Sequence, residues 1–169
     1  MANTYVAIAT TTVGSGGAAE IEFTSIPATY TDLVVKVSGR ASTTTTGCDI
    51  TFNGTTSGYT NRRLYGTGSA TASDSAGTTY ISNTMLVDSS YTASTFGNGE
   101  IYIPNYAGSN NKSVSVDGVT ENNATTALSM LTAGLLSNSA AITSIKLEVS
   151  GGGNFVQHST ATLYGIKNS

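Results

Sequence analysis

The chain has 169 residues, a length that suits one domain with a real core, and its seven Lys and Arg against ten Asp and Glu leave a net charge of −3. Charged residues make up 10% of it, against ~25% in an average domain, which argues against a nucleic-acid-binding face and against a charged, disordered segment. The single cysteine, Cys48, excludes an intrachain disulfide, and no apolar run approaches the ~18 residues of a membrane span.

The start, Met1-Ala2-Asn3-Thr4-Tyr5, lacks a basic region followed by an apolar one, so we expect synthesis in a cytosol with no signal peptide. A first strand is expected over about Tyr5–Val13, ended by Gly14-Ser15-Gly16-Gly17. Ile21 and Phe23 then alternate with Glu20, Glu22 and Thr24, the period-2 signature of a strand with one wet face. Pro27 closes that strand, and Leu33, Val35 and Val37 open the next. Residues 39–47 read as an exposed Thr-rich loop. Cys48 reads as a small half-buried residue at the edge of the Ile50/Phe52 strand, and Asn53-Gly54 reads as a turn. The stretch from Thr55 to Ser94 has no regular period and is expected as an irregular excursion that serves a contact. Asn98-Gly99 reads as a turn, Ile101 and Ile103 as a strand, Val114 and Val116 as another, and Asp117-Gly118 as a turn again. Ala127–Leu136 has leucines at spacings that also suit a helix. Its length and flanking Thr and Gly favour a strand buried on both faces. Ile145, Leu147 and Val149 alternate with polar partners, Gly151-Gly152-Gly153 turns the chain, and the run Asn154–Asn168 is a closing strand with nothing expected after it.

Strands of this kind, about eight to ten of them, predict an all-β fold: one antiparallel, jelly-roll-like β-sandwich over residues 1–169. The inward positions predict a core of Ile21, Phe23, Leu33, Val35, Ile50, Phe52, Ile101, Ile103, Val116, Ile145, Leu147 and Leu163.

Residues able to do chemistry are scarce. One histidine, His158, on the closing strand, has no Gly-X-Ser-X-Gly partner, and one His with one Cys is too few for zinc. Glu20 and Glu22 share a strand face at about 7 Å by strand geometry, and read as an edge-guarding pair rather than a glycosidase pair. Gly66-Thr67-Gly68 lacks the third Gly and the Lys of a phosphate loop. No catalytic residue, cofactor or metal site is therefore expected, and the chain is read as no enzyme. Tyrosine is the enriched functional type, nine against four Phe and no Trp. Tyr supplies contact area at low entropy cost and a hydroxyl besides. Tyr59, Tyr65, Tyr80, Tyr91 and Tyr106 are read as loop tyrosines and, with Arg62 and Arg63, are the interface candidates.

Three segments carry a resemblance. They are Ile8-Ala9-Thr10-Thr11-Thr12-Val13-Gly14-Ser15-Gly16-Gly17-Ala18-Ala19, the strand and corner Ile21-Glu22-Phe23-Thr24-Ser25-Ile26-Pro27-Ala28-Thr29-Tyr30-Thr31-Asp32-Leu33, and the ending Ala161-Thr162-Leu163-Tyr164-Gly165-Ile166-Lys167. These segments resemble small β-sandwich virion proteins of tailed bacteriophages, of the head-decoration or the fibre and tail-tip type. The resemblance implies a viral structural protein. The expectation is a capsid decoration (cement) protein, a homotrimer on the outer surface of the major capsid protein lattice, touching neither nucleic acid nor membrane. The alternative is a fibre or tail-tip adhesin for a host-cell glycan or protein. It carries over no catalytic or binding residue.

Overall fold

A computed structural model describes residues 4–77, 79–122 and 127–167. Its strands in chain order are β1 (Tyr5–Thr12), β2 (Glu20–Phe23), β3 (Asp32–Arg40), β4 (Gly47–Phe52), β5 (Tyr59–Gly66), β6 (Thr71–Ala76) and β7 (Ile81–Thr84). There follow β8 (Leu86–Val87), β9 (Gly97–Pro104), β10 (Lys112–Glu121), β11 (Ala127–Leu136), β12 (Ile145–Val149) and β13 (Thr160–Ile166). The protein is an all-β sandwich with no helix among the described residues.

The large sheet runs β1-β13-β3-β9-β10-β11-β5-β6, and the small one β2-β12-β4-β7. Eight of these strands form a frame: β1, β13, β3 and β9 in one sheet, β2, β12, β4 and β7 in the other. Counted along the frame, the orders are 1-8-3-6 and 2-7-4-5, those of a jelly roll. Pairing is antiparallel except for the two-residue β8, which lies parallel to β3. Two hairpins, β5–β6 and β10–β11, interrupt the frame and are both added beyond β9, doubling that sheet on one side.

All twelve expected core residues are buried in one cluster between the sheets. Leu163, Val35, Ile101 and Val116 lie opposite one another in register across four strands. Three segments differ from the sequence reading. Residues 55–94, expected irregular, hold β5, β6, β7 and β8. Their signal is hidden because β6 is open to solvent on both faces while all four residues of β7 are buried, so neither alternates. Asn98-Gly99 and Asp117-Gly118, expected as turns, lie inside β9 and β10. There Gly99 and Gly118 are paired in register, and a Cβ on Gly118 would stand 2.1 Å from Asn83 Oδ1. With Gly39, Gly97 and Gly134 they form a trough across the large sheet that receives residues 81–86: the Met85 and Thr84 carbonyls at Gly97 and Gly118, and the Leu86, Met85 and Ile81 side chains at Gly39, Gly99 and Gly134. Finally, β11 is a strand over the expected residues, but it alternates rather than being buried on both faces: Met130, Thr132 and Leu136 point inward, Leu131 and Ala133 outward.

The three segments that carry the resemblance meet. β1 pairs with β13 along its length, from Tyr5 opposite Ile166 to Thr12 opposite Thr160, with a bulge between Ala7 and Ala9. The corner that joins β2 to β3 lays the Tyr30 ring on Gly165 of the ending, where a Cβ would come within 2.3 Å of the ring. The Lys167 ammonium stands 5.6 Å over the same ring. Tyr106 completes the corner: its hydroxyl accepts from the Tyr30 N–H at 3.4 Å and donates to the Pro27 carbonyl.

Candidate interaction surface

Strand alternation aims one side chain in two of the large sheet at the core and the others at its outer face. Two cross-strand rows define that face. One is Tyr164, Val34, Tyr102, Ser115, Ala133, Arg62 and Ser75. The next is Thr162, Lys36, Glu100, Asp117, Leu131, Leu64 and Ser73. The two halves of the face differ in kind. Over the frame strands it is closed: Val34 is fully buried between Tyr164 and Tyr102. Tyr5 stacks edge-on against Tyr164 at 6.0 Å, and Lys36 pairs with Glu100, which raises the lysine's pKa. The Tyr102 hydroxyl donates to Asp32 Oδ2 at 3.0 Å, and burial together with that carboxylate pushes its pKa up.

Over the added hairpins the face is open and apolar. Leu131 and Leu64 sit directly opposite each other and are 59% and 56% exposed, with Val119 on the same side at 39%. A groove of about 440 Å³ runs along this half, lined by Tyr102, Pro104, Ser113, Ser115, Asp117 and Leu131. Leu131 and Ala133 also line a shallow continuation toward Arg62, Leu64 and Ser73. Large exposed apolar side chains that cluster on one sheet face mark an interaction site more than scattered ones do.

The sequence-predicted candidates are not brought together here. Tyr59, Tyr91 and Tyr106 are buried in the chain's own core, out of a partner's reach, and Tyr59 opens β5 rather than lying in a loop. The Tyr59 hydroxyl accepts from the Phe52 N–H at 2.9 Å. Like that of Tyr106 it is satisfied internally, which is what lets a tyrosine be buried. Tyr65, also expected in a loop, is on β5, half-buried, while half-buried Tyr80 precedes β7. Arg62 and Arg63, adjacent in sequence, point to opposite faces of β5. Arg62 flanks Leu64 on the outer face and donates to its neighbour's Asn61 carbonyl at 2.9 Å. Arg63 grips Asp74 of β6 through two bonds of 2.7 Å, which holds that carboxyl below the usual carboxylate range. Sequence reasoning missed Leu64, Leu131 and Val119. The signal was present in Thr132 and Gly134, small or polar residues at the positions that turned out to face inward.

The remaining chemical groups stand apart. His158 is exposed in a turn before β13, not on the closing strand, at φ 73° with its N–H on the Val13 carbonyl. Cys48 is fully rather than half buried, and that burial drives its thiol pKa far up. Glu20 and Glu22 are exposed on the edge strand β2, where Lys146 lies 3.6 Å from Glu20 and 3.0 Å from Glu148. Among the described residues no three His, Cys, Asp or Glu are grouped to hold a metal ion. Comparison with known proteins finds no matching family model, no similar curated protein and no similar solved structure.

Proposed function

We propose that this chain is a non-enzymatic structural protein of a tailed-phage virion, a capsid decoration protein that docks on the outer surface of the major capsid protein lattice. The observation that carries the docking is the open apolar half of the large sheet, centred on Leu64 and Leu131. The phage context rests on the three resembling segments, which build one corner of a jelly-roll frame. A lattice is a repetitive partner. A homotrimer would engage it at three points, and linked sites raise avidity by ~10²–10⁴. A second reading draws on the groove beside Tyr102: a tyrosine, two serines and the Asp117 carboxylate are groups that recognise a sugar, as a fibre or tail-tip adhesin would.

The test is co-sedimentation with capsid shells of the encoding phage that lack the protein. The wild-type chain should pellet with the shells. Leu131→Lys, at a solvent-exposed position directly opposite Asp117, should keep its melting curve and lose binding by at least about tenfold. A chain that ignores the shells but binds host-cell glycans, and is located at the tail, replaces the decoration reading with the adhesin one.

A further inference from the structure

A sandwich of two open sheets has four edges, and three of them are protected against pairing with another chain. β2 is short and carries Glu20 and Glu22. β7 is buried along its whole length. β1 is bent by its bulge between Ala7 and Ala9. Charge, burial and bulges are the usual guards of a strand edge. β6 has none of them. Its register against β5 runs without interruption from Asn61 opposite Ala76 to Gly66 opposite Thr71. It contains no Lys, Arg or Pro, and its one charge, Asp74, is already engaged by Arg63 of the same chain. Among the described residues, the backbone of Thr71–Ser75 makes no hydrogen bond outside the pairing with β5. The edge is about 20 Å long at strand rise.

We propose that the free edge of β6 pairs antiparallel with β6 of a second copy, about a two-fold axis at Ser73. A two-fold strand pair must place one residue opposite itself, since directly opposed residues share a face. Two centres give the longest overlap, Ser73 and Asp74. Centring on Asp74 sets two carboxylates against each other, which is unfavourable. Centring on Ser73 opposes the two hydroxyls and sets each Asp74 against the partner's Ala72. The same register joins the outer rows of the two copies. Leu131, Leu64 and Ser73 of one chain continue into Ser73, Leu64 and Leu131 of the partner subunit as one row, a leucine pair on each side of the central serines. The contact is isologous and closes on itself, so it does not propagate into a fibre.

This inference does not depend on the virion reading. Ser73 is exposed, so its variants should fold, which thermal melts by circular dichroism verify. Light scattering and native mass spectrometry over a concentration series should show even-numbered species for the wild type. These are a dimer, or a hexamer if the edge contact joins two trimers. Ser73→Cys should give a covalent dimer under mild oxidation, because directly opposed strand residues lie within disulfide reach. The wild type, with only buried Cys48, should not crosslink. Ser73→Lys sets two ammonium groups face to face and should weaken the dimer at least tenfold. A wild type that is only monomeric or only trimeric, a Ser73→Cys chain without crosslink, or a Ser73→Lys chain with unchanged association each overturns the proposal.

Discussion

Two side chains show how much one residue can organise in a chain with so few charges. The Arg40 guanidinium, at the end of β3, gathers the loop over residues 89–95. It donates to the carbonyls of Thr92 at 2.9 Å, Tyr91 at 3.0 Å, Thr95 at 3.2 Å and Ser89 at 3.4 Å, and to the Thr95 hydroxyl at 3.3 Å. A planar fork with five N–H groups can serve such a ring of acceptors, and a lysine cannot. Arg40→Ala should cost about 1.5–3 kcal/mol in urea unfolding. Arg40→Lys should recover little of it, and both should speed proteolysis within the loop. Asp49 works in the other direction. Burial of its carboxylate, reinforced by Glu148 and opposed by the Ser150 hydroxyl and Arg63, raises its pKa above the ordinary carboxylate value. Between the two values the folded chain holds more protons than the unfolded one. Stability from this group therefore falls as pH rises through that interval and stays lower above it. Asp49→Asn keeps the acceptor for Ser150 and should raise the melting temperature at neutral pH. The gain should vanish below the ordinary carboxylate range.

At the scale of elements, the corner that joins β2 to β3 is locked to β13 by shape. Tyr30 lies where a Gly165 side chain would be, so Gly165→Ala should cost about 1–3 kcal/mol by overpacking. The cost should shrink in a Tyr30→Ala background, a coupling that a double-mutant cycle measures directly. The same elements show what a sequence reveals. Where one face is wetter and one dry, as in β2 or β12, every inward residue is legible from alternation alone. β6 and β7 are invisible to that rule, one wet on both sides and the other dry on both. Asn98-Gly99 and Asp117-Gly118 carry turn chemistry, yet their glycines serve contact with a segment far away in sequence, which no local pattern encodes. The candidate interaction surface was legible only as a type. Tyrosines and arginines pointed to β5, but three of the tyrosines fill the core, and the exposed leucines looked like core because Leu131 sits in an apolar run.

The whole molecule is an unequal sandwich. Its large sheet is a jelly-roll half extended by two hairpins, and the extension is where the surface is apolar and the edge unguarded. Charged side chains are sparse in the whole chain, and on the added hairpins Arg63 pairs with Asp74. On the proposed decoration role, a partner would be held by apolar contact and backbone hydrogen bonds rather than by charge. Retention on capsid shells should then be unchanged when salt is raised to about 1 M, where the Debye length is ~3 Å. Release by moderate salt would contradict it.

The strand order also sets a timetable. β13 lies between β1 and β3, so two of the earliest strands wait for one of the last to be synthesised. At roughly 5–20 residues per second the ribosome needs on the order of ten seconds to pass from β3 to β13. Throughout that wait Leu33, Val35 and Val37 lack one of the two strands that flank them, the other being β9. Nascent chains arrested before Thr160 should be protease-sensitive along their whole length, and protection should arrive in one step once β13 has cleared the exit tunnel. Folding of the released chain should then be slow, in the millisecond-to-second range of proteins built from distant strand pairs. Such a chain should be most open to proteolysis and mispairing during that interval, while β1 and β3 still lack the strand that joins them.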